Sequence, residues 1–257
     1  MSSSALNPKV HVGLESIHAD VWHADVLASA PARVLATGDA LLNAQLPGGG
    51  WPVGALIEIL QAPGVHSEWR LLLPALVHSG QGPVVLIGAP HVPFVPALAA
   101  QGLPTQRLLW VTTPLPPTRL WATEQALRCA EVDAVLAWLP LARGDQLRRL
   151  QMAAAEHAKL LFVMRPAQAL HDASPAVLRL WIGPQGLGTA PDSTSTSSPQ
   201  DRLEVQLLKR RGPPLAHLLH LQARPARLSI LLASSLVPTS AQLGGNPRAL
   251  DRAATAA

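Results

Sequence analysis

Five short apolar runs, separated by stretches of helical pattern, constrain this chain more than any other feature. The runs are 55–60 (ALIEIL), 84–88 (VVLIG), 107–111 (RLLWV), 134–138 (AVLAW) and 159–164 (KLLFVM). Segments that predict helices lie near 67–79, 92–101, 118–130 and 144–157. A strand that is apolar on both faces has to be covered on both, and a helix between successive strands returns the chain to the same end of the sheet. The alternation therefore predicts an α/β fold: a mainly parallel sheet with helices on both faces. The pattern changes near 177. VLRLWIG (177–183), LEVQLLKR (203–210) and AHLLHLQ (216–222) follow one another with no helix between them. They read as antiparallel strands added at the C-terminal edge of the sheet.

The rest of the chain is arranged around this core, taken as 33–222. Residues 1–32 form an extension in which Ile17, Val21, Trp22, Val26 and Leu27 predict one short helix. The Gly/Ser/Thr/Pro-rich stretch 186–201 is expected to be a long flexible loop between the last strands. Residues 223–257 are expected to be a partly disordered tail with one apolar segment, 228–237.

The first core strand leads into a loop with Pro63 and Gly64 and then a helix, which is the layout of a phosphate-binding loop. Such a loop needs glycines to bring backbone N–H groups around the phosphates, a lysine to neutralise them and a hydroxyl to hold magnesium. In the frame 61–68, Gln61 and His66 stand at the glycine places, Ser67 at the lysine place and Glu68 at the hydroxyl place. Starting the frame at Gly64 puts Trp69, Arg70 and Leu71 at the key places. The only lysines are Lys9, Lys159 and Lys209, and none follows a glycine. The reading is a nucleotide-binding layout without nucleotide chemistry: no cofactor and no catalysis.

Composition narrows the classes further. No apolar stretch runs 18 residues without a break, the N-terminus lacks the pattern of a secretory signal, and there is a single cysteine, Cys129. These observations point to a cytoplasmic protein without an internal disulfide or a multi-cysteine zinc site. The ten histidines show no metal-ligand spacing, so no metal is expected. Charge is uneven. Residues 1–142 carry 6 Lys/Arg against 9 Asp/Glu, and residues 143–257 carry 14 against 7, giving −3 and +7. A basic C-terminal half fits a polyanion or an acidic partner. No tyrosine and only two phenylalanines argue against a base-stacking platform.

Taken in order, these segments resemble the RecA family, and within it the ImuA group, which is related to the SulA-type division inhibitors. The resemblance covers about 34–222. It rests on TGDALLNAQLPGGGWPVGALIEIL (37–60), above all LPGGGWPVGAL (46–56), and on LRLWIG and LEVQLLKRRG (203–212). The catalytic pattern of an active RecA-type ATPase does not carry over. Where the water-activating glutamate would stand, after the second strand, the sequence has Pro90. Where the magnesium-associated aspartate would stand, VDAVLAWLP places Trp138 or its neighbours, and Asp133 lies at the wrong end of that strand. The ImuA resemblance implies a DNA-damage-induced accessory protein of error-prone translesion synthesis. Its partners would be an ImuB-like protein, an error-prone polymerase and RecA itself. The SulA resemblance implies the alternative, a division inhibitor that binds a tubulin-like GTPase.

Candidate contact residues are cationic. Lys209, Arg210 and Arg211 form the densest cluster, beside a Gly212-Pro213-Pro214 turn, and Arg143, Arg148 and Arg149 form a second. Either could meet DNA phosphates, weakly or indirectly, or an acidic protein surface. Gly48-Gly49-Gly50 reads as a tight turn, with Trp51 packed behind it. Cys129 reads as a buried thiol, and Trp110, Trp138 and Trp181 as core.

Overall fold

The computed structural model describes residues 33–183, 202–213, 215 and 217–222. The extension 1–32, the whole 186–201 loop and the tail from 223 lie outside the described residues. A small hairpin comes first. β1 (Val34–Leu35) pairs antiparallel with β2 (Trp51–Pro52), and α1 (Ala40–Gln45) lies between them. The Thr37-Gly38-Asp39 segment starts α1. Asp39 Oδ1 accepts from the Leu42 N–H at 3.0 Å, and Asn43 Oδ1 accepts from the Thr37 N–H at 2.8 Å, so two otherwise orphaned donors are satisfied.

The main sheet has eight strands, in the order β10-β9-β8-β3-β7-β6-β4-β5. They are β3 (Ala55–Gln61), β4 (Val84–Ile87), β5 (Leu108–Val111), β6 (Ala134–Trp138), β7 (Leu160–Pro166), β8 (Leu178–Ile182), β9 (Arg202–Lys209) and β10 (Leu219–Gln222). The helices between them are α2 (Glu68–Val77), α3 (Val95–Ala100), α4 (Pro116–Arg128) and α5 (Gly144–Glu156). β8, β3, β7, β6, β4 and β5 are parallel neighbours, while β9 runs antiparallel to both β8 and β10. The architecture is a RecA-like α/β fold. One detail differs from the expected edge: β8 pairs parallel with β3, so the antiparallel addition begins at β9. β7 and β8 flank β3 on either side, and the turn Ala167–His171 carries the chain across in place of a full helix.

Two cores sandwich the sheet. On one face Ile57, Ile59, Leu86, Leu136 and Phe162 pack with Leu72 and Leu76 of α2 and with Leu42 of α1. On the other, Leu56, Val85, Val135 and Leu161 pack with Leu127 of α4 and with Leu147 and Leu150 of α5. The period-2 alternation of each strand assigns its side chains to these two layers. Trp51 is fully buried and meets Phe162 edge-on, with ring centroids 5.5 Å apart. The glycine run before it is a turn, as expected. Gly48 has φ +76, and a Cβ on Gly50 would stand 2.3 Å from the Leu35 carbonyl oxygen. β5 is the outer strand on its side, so Trp110, expected in the core, is 39% exposed. Cys129, expected to be buried, is exposed just past the end of α4. No helix among the described residues is long and apolar enough to cross a membrane.

Candidate functional site

The loop after β3 closes as a reverse turn. Val65 N–H donates to the Ala62 carbonyl at 3.1 Å, and Ala62 N–H donates to the Ile182 carbonyl at 3.4 Å. Pro63 followed by Gly64 at φ +75 suits a type II turn. The N–H groups of Ala62 and Val65 therefore face backbone carbonyls of the protein. Gln61 Nε2 donates to Glu68 Oε2 at 2.8 Å, which ties the strand end to the first residue of α2.

The three positions that the sequence reading took as departures from an active RecA-type site come together. Glu68 opens α2, Pro90 follows β4 and Trp138 ends β6, and all three line one groove of about 140 Å³. It lies at the carboxyl ends of parallel strands, where open α/β sheets receive ligands. His66 and His91 meet edge-on over it, with ring centroids 4.5 Å apart. Trp69, Val92 and Phe94 complete the walls, and Val92 and Phe94 are each 72% exposed. Prolines at 90 and 93 restrict the loop that carries them.

Among the described residues, one polar group of the lining residues lacks a hydrogen-bond partner and another lacks a counter-charge. Trp138 is 7% exposed, yet its Nε1 finds no acceptor. Glu68 is 4% exposed and has no cation within ion-pair distance. Farther along the rim a second groove, about 90 Å³, is lined by Pro116, Pro117, Leu120, Leu139 and Leu141. Arg119 lines the second groove, and a Cβ on Gly88, just after β4, would stand 2.7 Å from its Nε. The rim over β6, β4 and β5 thus exposes Leu141, Val92, Phe94 and Leu115. Among the described residues no group of three potential metal ligands gathers.

The candidate cations are placed differently. Lys209 donates from Nζ to the Ser174 carbonyl at 3.1 Å. Arg210 donates to the carbonyls of Gln45 and Pro213, anchoring the turn after β9 to α1. Arg211 and Arg148 are exposed, with no hydrogen-bond or ion-pair partner among the described residues. Arg149 pairs with Glu124 across α4 and α5. That hydrogen bond, supported by the charges of Arg149 and Arg128 and opposed by burial, holds the Glu124 carboxyl below the usual glutamate range. The sets 209–211 and 148–149 do not form one uniform basic surface; within each, some cations are committed to intramolecular contacts.

Asp133 is also structural. Its Oδ2 accepts from Gly82 N–H at 2.6 Å and pairs with the buried Arg107 at 3.3 Å, at the start of β6 and away from the groove. The histidine pair and the Val92/Phe94 lip were not singled out by the sequence reading. A signal was present in HVPF (91–94): two large apolar residues in a proline-bounded stretch where a solvated loop would be polar.

No family model matches the sequence. Over 200 residues it is 27% identical to Protein ImuA of Caulobacter vibrioides, covering 71% of this chain and 82% of that one. The chain is related to ImuA and SulA. The SulA similarity, to Cell division inhibitor SulA of Photorhabdus laumondii subsp. laumondii, is 34% over 112 residues. It covers 43% of this chain, and the matched segment spans 63% of that relative's length. The ImuA alignment is thus the more extensive and the SulA alignment the more similar within a shorter segment.

Proposed function

We propose that this chain is a non-catalytic accessory protein of DNA-damage-induced, error-prone translesion synthesis. It works by protein contact with an ImuB-like protein and an error-prone polymerase, with RecA as a further partner. The observation that carries the reading is the groove. Glu68, Pro90 and Trp138 stand where an active RecA-type ATPase would bring a metal-binding hydroxyl, a glutamate and an aspartate, and they line an apolar hollow with an exposed lip. Similarity to ImuA over 71% of the chain supports the choice of pathway. DNA enters this reading only as a weak or indirect contact through Arg211 and Arg148.

The second reading is a SulA-type division inhibitor acting on a tubulin-like GTPase, favoured by the 34% identity over 112 residues. One experiment separates the two. The tagged full chain is expressed in its own cells, DNA is damaged, and co-purifying proteins are identified after nuclease treatment. Recovery of an ImuB-like protein or an error-prone polymerase is the expected result. Recovery of the division GTPase in their place overturns it in favour of the second reading.

A further inference from the structure

The groove is lined by a carboxylate and by aromatic rings, and these features together select an occupant. Glu68 lines it, with Oε2 occupied by Gln61 and no cation within ion-pair distance among the described residues. A buried carboxylate without a counter-charge is costly, and a cation brought against it is favoured far more than in bulk water. Trp69, Trp138 and Phe94 offer ring surfaces to an aliphatic stem or a guanidinium face. At about 140 Å³ the hollow admits a single side chain and excludes a folded element.

We infer that the groove captures an arginine side chain of a protein partner. The guanidinium meets Glu68, and its stem lies against Trp69 and Phe94. The same charge complementarity excludes a phosphate: Glu68 repels an anion where an active nucleotide site attracts one. An apolar residue flanking the arginine packs on Val92 at the lip, which is where exposed hydrophobic surface is available. This rests on the protein-contact reading above and specifies its chemistry.

The test titrates the full chain with three capped tripeptides, Ac-Leu-Arg-Leu-NH2 and its glutamine and glutamate counterparts. The readout is the indole N–H signal of Trp138, identified by its loss in Trp138→Phe. A saturable shift with the arginine peptide is expected, with binding about tenfold weaker for the glutamine peptide and weaker still for the glutamate peptide. Glu68→Gln is expected to abolish the preference for arginine, and its thermal unfolding shows whether it is folded. Equal binding of all three peptides to the native chain, or an undiminished preference in folded Glu68→Gln, overturns the proposal. If Glu68→Gln does not fold, the three-peptide comparison on the native chain decides alone. Capture of damage-response proteins by the native chain, run in parallel, keeps the two readings apart. Partners recovered without arginine selectivity sink the groove and leave the adaptor. Arginine selectivity without such partners does the reverse.

Discussion

Two sites beside β3 treat charge in opposite ways. On β3, between β7 and β8, Glu58 is fully buried, yet both its oxygens are held: Arg165 reaches Oε1 at 2.8 Å and Arg179 reaches Oε2 at 2.7 Å. Arg165 also binds Asp172 and the Ala142 carbonyl, and Arg179 binds the carbonyls of Ala169 and Leu170. This network sits on the face where Leu56 belongs to the α5 core, and it fastens the crossover turn to the sheet. On the side of β4 and β6, Glu68 has only an amide partner, Trp138 Nε1 has none, and the lip is apolar and exposed. Arg165 Nε also finds no partner among the described residues, so the contrast lies in the carboxylates: Glu58 is held by two guanidiniums, and Glu68 has no cation beside it among the described residues. The difference indicates where the protein is built to hold together and where it is built to touch.

The largest effect is expected from breaking the closed side. Glu58→Gln leaves the buried Arg179 without a counter-charge and Arg165 with only the half-exposed Asp172, and removing one partner of a buried pair costs about 3–5 kcal/mol. Urea unfolding of the full chain measures it. A loss below about 1 kcal/mol would mean the arginines find other acceptors, and the contrast between the two sides would weaken.

How much of this was legible beforehand follows from the physics of each signal. The parallel core was, because strands 55–60, 84–88 and 134–138 are apolar on both faces and the helices between them carry the matching stripe. The direction of β8 was not: LRLWI has the same alternation whether it joins a parallel or an antiparallel neighbour. The exposure of Trp110 was hidden for a related reason, since an apolar strand does not announce that it will be outermost. The replaced positions 68, 90 and 138 were readable one at a time, but their meeting in one groove depends on strand order. The roles of Lys209 and Arg210 were hidden because their acceptors, Ser174 and Gln45, lie 35 and 165 residues away.

A smaller effect is expected where a buried acid meets exposed cations. Glu124 is buried, but Arg149 and Arg128 keep their guanidiniums largely in water. Its folded pKa is depressed, chiefly by the hydrogen bond from Arg149. The stability it contributes is therefore present above the ordinary glutamate value of about 4.3 and is lost as pH falls through the lower folded value. Screening limits it to about 1 kcal/mol. Unfolding curves for the native chain and Glu124→Gln should differ at pH 7 and converge as the carboxyl protonates. A gap that persists at acid pH would assign the effect to packing, and this pair would belong with the closed network.

The smallest effect on stability is expected at the open side, and there the comparison is most exposed to refutation. Phe94 stands 72% exposed beside the groove, so Phe94→Ser removes little buried surface and should change unfolding free energy by no more than about 0.5 kcal/mol. Its effect on partner capture from damaged cells should be large, because an exposed aromatic lip is where an interface concentrates its energy. Glu58 variants should show the reverse weighting: a lower denaturation midpoint, and capture that is retained at temperatures where the chain is still folded. If Phe94→Ser destabilises the chain by more than about 2 kcal/mol, the lip is part of the core and the groove is a packing defect. If it is neutral in both assays, the contact surface lies elsewhere, with Arg211 and Arg148 the next residues to substitute.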